Sequence, residues 1–248
     1  MIHGGLWSKE AREYRLIFII CLLITILVGA ISLYFPHLAN EFTGNSAAWS
    51  RWMSSPFVDE AWLQWNSVIL LQLSAITALI LGFSTLSGEV GGKNALSYLL
   101  SKPVSRREVV TTKAAAGLTF LVFYIYGSSF AWGVLAWYAG HQLPEFSVFF
   151  LSSTVTLSMA AVIYMSAVFF SSLFFRSWLA ALFSIITWLA VFAPQFGFVS
   201  RDYAIFLHMQ EAGFWLGKET SFIPLGAGIV VAGIFYELAV FFWVKREY

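Results

Sequence analysis

The sequence predicts an all-α membrane protein with six transmembrane helices, and three observations carry that prediction. Hydrophobic residues make up 59% of the 248 residues and charged ones 11%, where soluble domains carry roughly 25% charged residues. Apolar runs recur six times at the length, roughly 20 residues, that a helix needs to cross a bilayer core of about 30 Å. The basic residues gather in alternate connections between those runs. Mean hydropathy, at +0.77, agrees. Lipid admits no exposed backbone that is not bonded within its own segment, so runs of this kind cross as helices.

The six spans run approximately over residues 16–35, 66–86, 114–138, 148–175, 178–196 and 222–244. Five contain no Asp, Glu, Lys or Arg, and the sixth contains Glu237. An even number of spans puts both termini on one side. With the termini inside, eleven of the fourteen lysines and arginines are cytoplasmic, leaving Arg51, Arg201 and Lys218 outside. The positive-inside rule therefore sets both termini in the cytoplasm of a multi-pass protein of the cell's inner or plasma membrane.

Ahead of the first span, Leu6, Trp7, Tyr14 and Ile17 share a helical face while Lys9, Glu10, Arg12, Glu13 and Arg15 crowd the rest. This predicts an amphipathic helix lying on the inner leaflet. Residues 1–15 lack the form of a signal peptide, so the first span is expected to stay in the mature protein. Cys21, the one cysteine, lies inside that span as a small packing residue.

Outside, residues 36–65 carry Trp49, Trp52, Phe57, Trp62 and Trp65. Aromatic side chains of this density belong at headgroup depth. Residues 197–221 are again mixed and long for a connection, which suggests a re-entrant or interfacial helical segment before the sixth span. The fourth span is rich in Ser, Thr and Ala, the residues that let membrane helices approach closely. Only Arg176 and Ser177 separate it from the fifth, enough for a tight hairpin turn. Without repeats or a flexible linker, residues 1–248 read as one domain.

Between the second and third spans stands the one long basic interruption, GEVGGKNALSYLLSKPVSRREVVTTK, residues 88–113. Gly91 and Gly92 break the chain, and Ala95, Leu96, Leu99 and Leu100 give a short helix an apolar face. Pro103 keeps its predecessor out of helical geometry. Ser105-Arg106-Arg107-Glu108 is a capping box, with Val104 and Val109 at the staple positions. A short helix, a corner and a capped long helix result, a rigid knob with exposed contacts on the basic side. Its basic residues also suit anionic headgroups.

Membrane-buried catalysis would need ionisable groups at depth within reach of one another. The four histidines all fall outside the spans and show no metal-ligand spacing. Glu237 is the one intramembrane polar site. Either it snorkels or pairs with a basic residue, the commoner use, or it serves a proton or cation.

In the order Glu89, Gly92, Leu99-Leu100-Ser101, Pro103-Val104-Ser105-Arg106 and Lys113, the elbow resembles the signature of bacterial ATP-binding cassette type-2 transporter permeases. The six-span layout is similar over the whole chain. Lys93 stands where Thr is common, and Asn94-Ala95 where an acidic residue often follows. The resemblance implies the permease subunit of an ATP-driven exporter, without an ATPase site or cofactor of its own. It would pair with a second permease, identical or related, and with separate nucleotide-binding subunits that hold ATP and Mg. Consistently, the chain has no Walker A pattern. The lipid bilayer is the remaining partner expected, and nucleic acid is not one. The residues implied in coupling to the ATPase are Glu89, Gly92, Leu96, Leu99, Leu100, Ser101, Pro103, Val104, Ser105, Arg106, Arg107 and Lys113, with Glu89 fixing the elbow through a basic neighbour such as Lys113 or Arg15. Aromatic, uncharged walls suit an amphipathic cargo. Two other functions fit the same sequence: a membrane-embedded scaffold or sensor that carries no cargo, and a proton-coupled carrier built on Glu237.

Overall fold

The computed structural model describes residues 4–34, 65–91, 105–140, 146–174, 176–192 and 223–245, and all regular structure among them is helical. In chain order the helices are α1 (Gly4–Tyr34), α2 (Leu71–Gly91), α3 (Arg106–Tyr138), α4 (Phe146–Leu173), α5 (Ser177–Phe192) and α6 (Ile223–Lys245), with a π-helical turn, Trp65–Leu70, leading into α2. Each predicted span falls on one of them, in order. Four of these, α1, α3, α4 and α6, are long and apolar enough to cross a membrane. In α2 and α5 the apolar stretches with described side chains are Leu71–Ser87 and Ser177–Ala190. The tight turn expected at Arg176 and Ser177 is present, with Leu179 N donating to Arg176 O over 3.1 Å. Trp49, Trp52, Phe57 and Trp62, and the segment 197–221, lie outside the described residues.

At the amino end the expectation changes. The amphipathic segment and the first span form one uninterrupted helix, α1, of 31 residues. No glycine or proline stands between Leu6 and Val28 to break it, and once nucleated a helix propagates at little cost per residue. At 1.5 Å per residue its length is about 46 Å, close to the 40–45 Å or so of a bilayer with its headgroups.

Helix α4 lies at the centre, packed against α2, α3, α5 and α6. Its most apolar stretch is 72% buried, against 17% for α1 and α6, which form the periphery. The hydroxyls explain how a central helix can be so polar. Ser158 and Ser166 donate back to carbonyls of their own helix at 2.9 and 2.8 Å, which satisfies them without a partner. Ser153 instead donates to Ser129 of α3 over 3.1 Å. Their small volume allows close approach: a Cβ on Gly82 of α2 would stand 2.5 Å from Ala167 Cβ and 2.8 Å from Tyr164 O of α4.

Side-chain contacts show which helix ends are neighbours. The Arg106 guanidinium donates to Val244 O over 3.2 Å, and Leu86 N and Ser87 N both donate to Ser171 Oγ, at 2.9 and 2.8 Å. Thus the starts of α1 and α3 share one end of the bundle with the finishes of α2, α4 and α6. Every lysine and arginine among the described residues belongs to that end. At the other end Trp65 is 1% exposed and stacks on Trp132, with ring centroids 5.6 Å apart and planes 11° from parallel. Trp65 is therefore a core residue and not the headgroup anchor its sequence neighbourhood suggests. Gly29 makes room for it, since a Cβ there would lie 3.1 Å from each indole.

The outer faces remain apolar. Leu16, Ile20, Leu23 and Leu27 on α1 and Ile229, Val230 and Ile234 on α6 are exposed, a surface suited to lipid or to another membrane helix and not to water.

Candidate coupling site

The described part of the elbow begins at Ser105, whose backbone is extended at φ −68° and ψ 146°. Glu108 N donates to Ser105 Oγ over 3.2 Å, and Ser105 N donates to Glu108 Oε2 over 3.0 Å. The capping box is reciprocal, as its sequence predicts, and satisfies two backbone groups that a bare helix start leaves open. Val109 is buried behind it. From this start α3 runs unbroken for 33 residues, about 50 Å.

Arg106 and Arg107 point from the first turn of α3 toward the last turns of α6. Arg106 reaches Val244 O, as above, and Arg107 Nη2 lies 3.8 Å from Glu237 Oε1, both side chains about two-thirds exposed at 66% and 65%. One turn further along, the Thr111 and Tyr236 hydroxyls share a 2.7 Å hydrogen bond. Glu237 thus has a basic neighbour at the elbow's end of the bundle. A groove of about 630 Å³ lined by Val230, Gly233, Ile234, Leu238 and Phe241 runs beside it.

Lys113 lies eight residues beyond the cap, about 12 Å along α3. Its ammonium meets Glu10 Oε1 of α1 at 2.5 Å, with the two side chains only 2% and 1% exposed. Around the pair, Tyr14 of α1 donates to Thr85 Oγ1 of α2 over 3.3 Å. The Tyr164 hydroxyl of α4 donates to the Lys113 carbonyl, also over 3.3 Å. A cluster of four helices therefore closes on one buried ion pair just behind the elbow. Glu10 was unassigned as a site residue by the sequence, which places it among the polar residues of a surface helix.

Of the residues implied in coupling, Ser105, Arg106, Arg107 and Lys113 are described, all in the first turns of α3 or at its cap, with Lys113 eight residues beyond the cap. Gly92, Leu96, Leu99, Leu100, Ser101, Pro103 and Val104 lie outside the described residues. Glu89 stands in the last turn of α2, with its side chain also outside the description. Among the described side chains, Lys113 pairs with Glu10. Among the described residues no group of three or more His, Cys, Asp or Glu side chains could hold a metal ion.

Among its described residues the arrangement sets no nucleophile beside a base. What it offers is mechanical: a capped rod end, tied to α6 at its first turn and to α1, α2 and α4 two turns further in. The sequence profile of the ABC-2 family transporter proteins matches residues 7–211, a stretch that takes in α1 to α5 and the elbow and stops short of α6. No curated protein and no solved structure matches the chain.

Proposed function

The chain belongs to the ABC-2 transporter family, and from that premise we propose that it is the permease subunit of an ATP-driven exporter of amphipathic molecules. Two permeases, identical or related, pair in the membrane, and separate ATPase subunits bind ATP and Mg on the cytoplasmic side. Six helices cross the bilayer, with both termini and the elbow inside. The observation that carries this reading is the reciprocal cap at Ser105 and Glu108, which fixes the start of a 33-residue helix at the elbow's described end. Closure of the ATPase subunits pushes on residues 96–107, and α3 conveys the displacement into the bundle. The gathering of every described lysine and arginine at the elbow's end supports the orientation.

Replacing both Leu99 and Leu100 with Asp tests the mechanism. In vesicles holding the assembled complex, the variant is expected to insert and to hydrolyse ATP while accumulation of fluorescent amphipaths falls to background. Wild-type accumulation by the double variant refutes the mechanism. ATP turnover by the wild type without accumulation of any amphipath favours the scaffold or sensor role instead.

A further inference from the structure

Beyond the elbow itself, we infer that the Glu10–Lys113 ion pair is a positioning element that makes α1 move as one body with α3 when the elbow is displaced. The inference rests on the coupling reading above; it adds Glu10, which that reading does not name, and gives Lys113 a specific task within it.

The location comes first. Lys113 lies on the rod that starts at the elbow's cap, and its partner stands on α1, whose principal neighbour in the bundle is α3. Lys113 is gripped twice, by Glu10 of α1 at its ammonium and by Tyr164 of α4 at its carbonyl. Further out, α1 and α3 meet again where the Thr25 and Tyr124 hydroxyls are 2.6 Å apart. A third contact is Gly29 against Trp132.

The chemistry says why a charged pair sits there. Two apolar side chains of similar volume would hold α1 and α3 together as well or better, because removing both charges from water is costly. Apolar contacts, however, are non-directional, and one helix can shift along another while keeping them. The ion pair differs. In a poorly screened interior more attraction is lost per ångström of separation than in water, and an axial step of α3 past α1 would pull apart an ammonium and a carboxylate that are only 2% and 1% exposed. Register is therefore what the pair supplies. A register role for buried polar groups is their best-attested use. Here the register joins a peripheral helix with an outward apolar face to the helix that the motor pushes.

The test separates this role from plain stability. The chain is prepared with Cys21→Ser and spin labels at pairs of exposed sites: Leu16 on α1 with Phe123 on α3, and each of these with Ile229 on α6. Labelled chains are diluted among unlabelled ones in the complete complex, in liposomes, and distances are measured without nucleotide and with ATP, Mg and vanadate. In the wild type the Leu16–Phe123 distance is expected to stay constant while both distances to Ile229 change together. The volume-matched double variant Glu10→Leu with Lys113→Met is expected to unfold no more easily than wild type, yet to let the Leu16–Phe123 distance change with nucleotide. The charge swap Glu10→Lys with Lys113→Glu is expected to restore a constant distance. If the apolar double variant keeps that distance constant while the distances to Ile229 still respond, the pair has no positioning role. If no distance responds to nucleotide even in the wild type, the coupling reading itself fails, and the inference with it.

Discussion

Gly82→Ala is the smallest change for which the structure predicts a large effect. The added methyl would lie 2.5 Å from Ala167 Cβ and 2.8 Å from Tyr164 O, whereas carbon atoms rest comfortably at about 3.5–4.0 Å. Neither obstacle is the end of a flexible side chain. One is a carbonyl oxygen of α4 and the other a Cβ fixed to its backbone, so relief requires α2 and α4 to separate by roughly 1 Å. Overpacking of this kind costs about 1–3 kcal/mol, a factor of roughly 5 to 150 in the folding equilibrium. One turn away, Leu86 N and Ser87 N are held by Ser171 Oγ across the same contact, and those bonds lengthen with it. Gly127, on α3, is the control: an added Cβ there would meet nothing within 4 Å, and Ala gains up to about 1 kcal/mol over Gly from helix propensity. Unfolding by dodecyl sulfate from mixed micelles, followed by tryptophan fluorescence, measures both. The expected order of stability is Gly127→Ala at or above wild type and Gly82→Ala well below it. A Gly82→Ala protein that unfolds together with the Gly127→Ala control would refute the close approach of α2 and α4.

Three further changes test other contacts. Ser105→Ala removes the cap acceptor, at a cost of about 1 kcal/mol, and hydrogen exchange at residues 106–109 is expected to quicken several-fold while the middle of α3 is unaffected; unchanged exchange removes the argument for a stiff corner. Trp65→Leu loses the stacking on Trp132, worth about 0.5–1.5 kcal/mol beyond area, and the emission maximum should shift as a buried indole disappears; an unaltered spectrum and stability would place Trp65 at the surface. Glu237→Gln gives up an exposed pair worth at most about 1 kcal/mol, so stability and ATP turnover by the complex are expected to remain near wild type, and abolished turnover would return Glu237 to the role of a functional carboxylate.

The sequence shows the six helices clearly because membrane solvation leaves few choices. A long uncharged run has one way to satisfy its backbone, and each observed helix overlaps the run that predicts it, although α1 starts at Gly4, well before its run. The capping box was equally legible, since Ser105 and Glu108 need only be three residues apart on an incipient helix. What the sequence misplaces are features decided by contact between distant segments. Trp65 closes an aromatic-rich external stretch and resembles an anchor, but its stacking partner stands on α3 and the room for it is supplied by a glycine of α1. The π-helical turn over Trp65–Leu70, which the sequence counts into the second span, is likewise structure that composition does not encode.

Glu10 shows the same limit and also where a signal lay. Counted by polarity it joins Lys9, Arg12 and Glu13 on a wet face. Counted by angle, at about 100° per residue, it stands roughly 40° from Leu6, 40° from Tyr14 and 20° from Ile17, in the middle of the apolar face. A carboxylate on the buried face of a helix must find a cation or be neutralised. Lys113 presents the matching anomaly, an ammonium two turns inside a helix whose following 25 residues carry no charge. Two opposite charges, each in the wrong place for its own helix, account for each other once the helices pack. The pattern alone does not bring Glu10 and Lys113 together, because that depends on which helices lie beside α3. The packing of α1 against α3 does so, and in doing so ties the amino-terminal helix to the helix that begins at the elbow's described end.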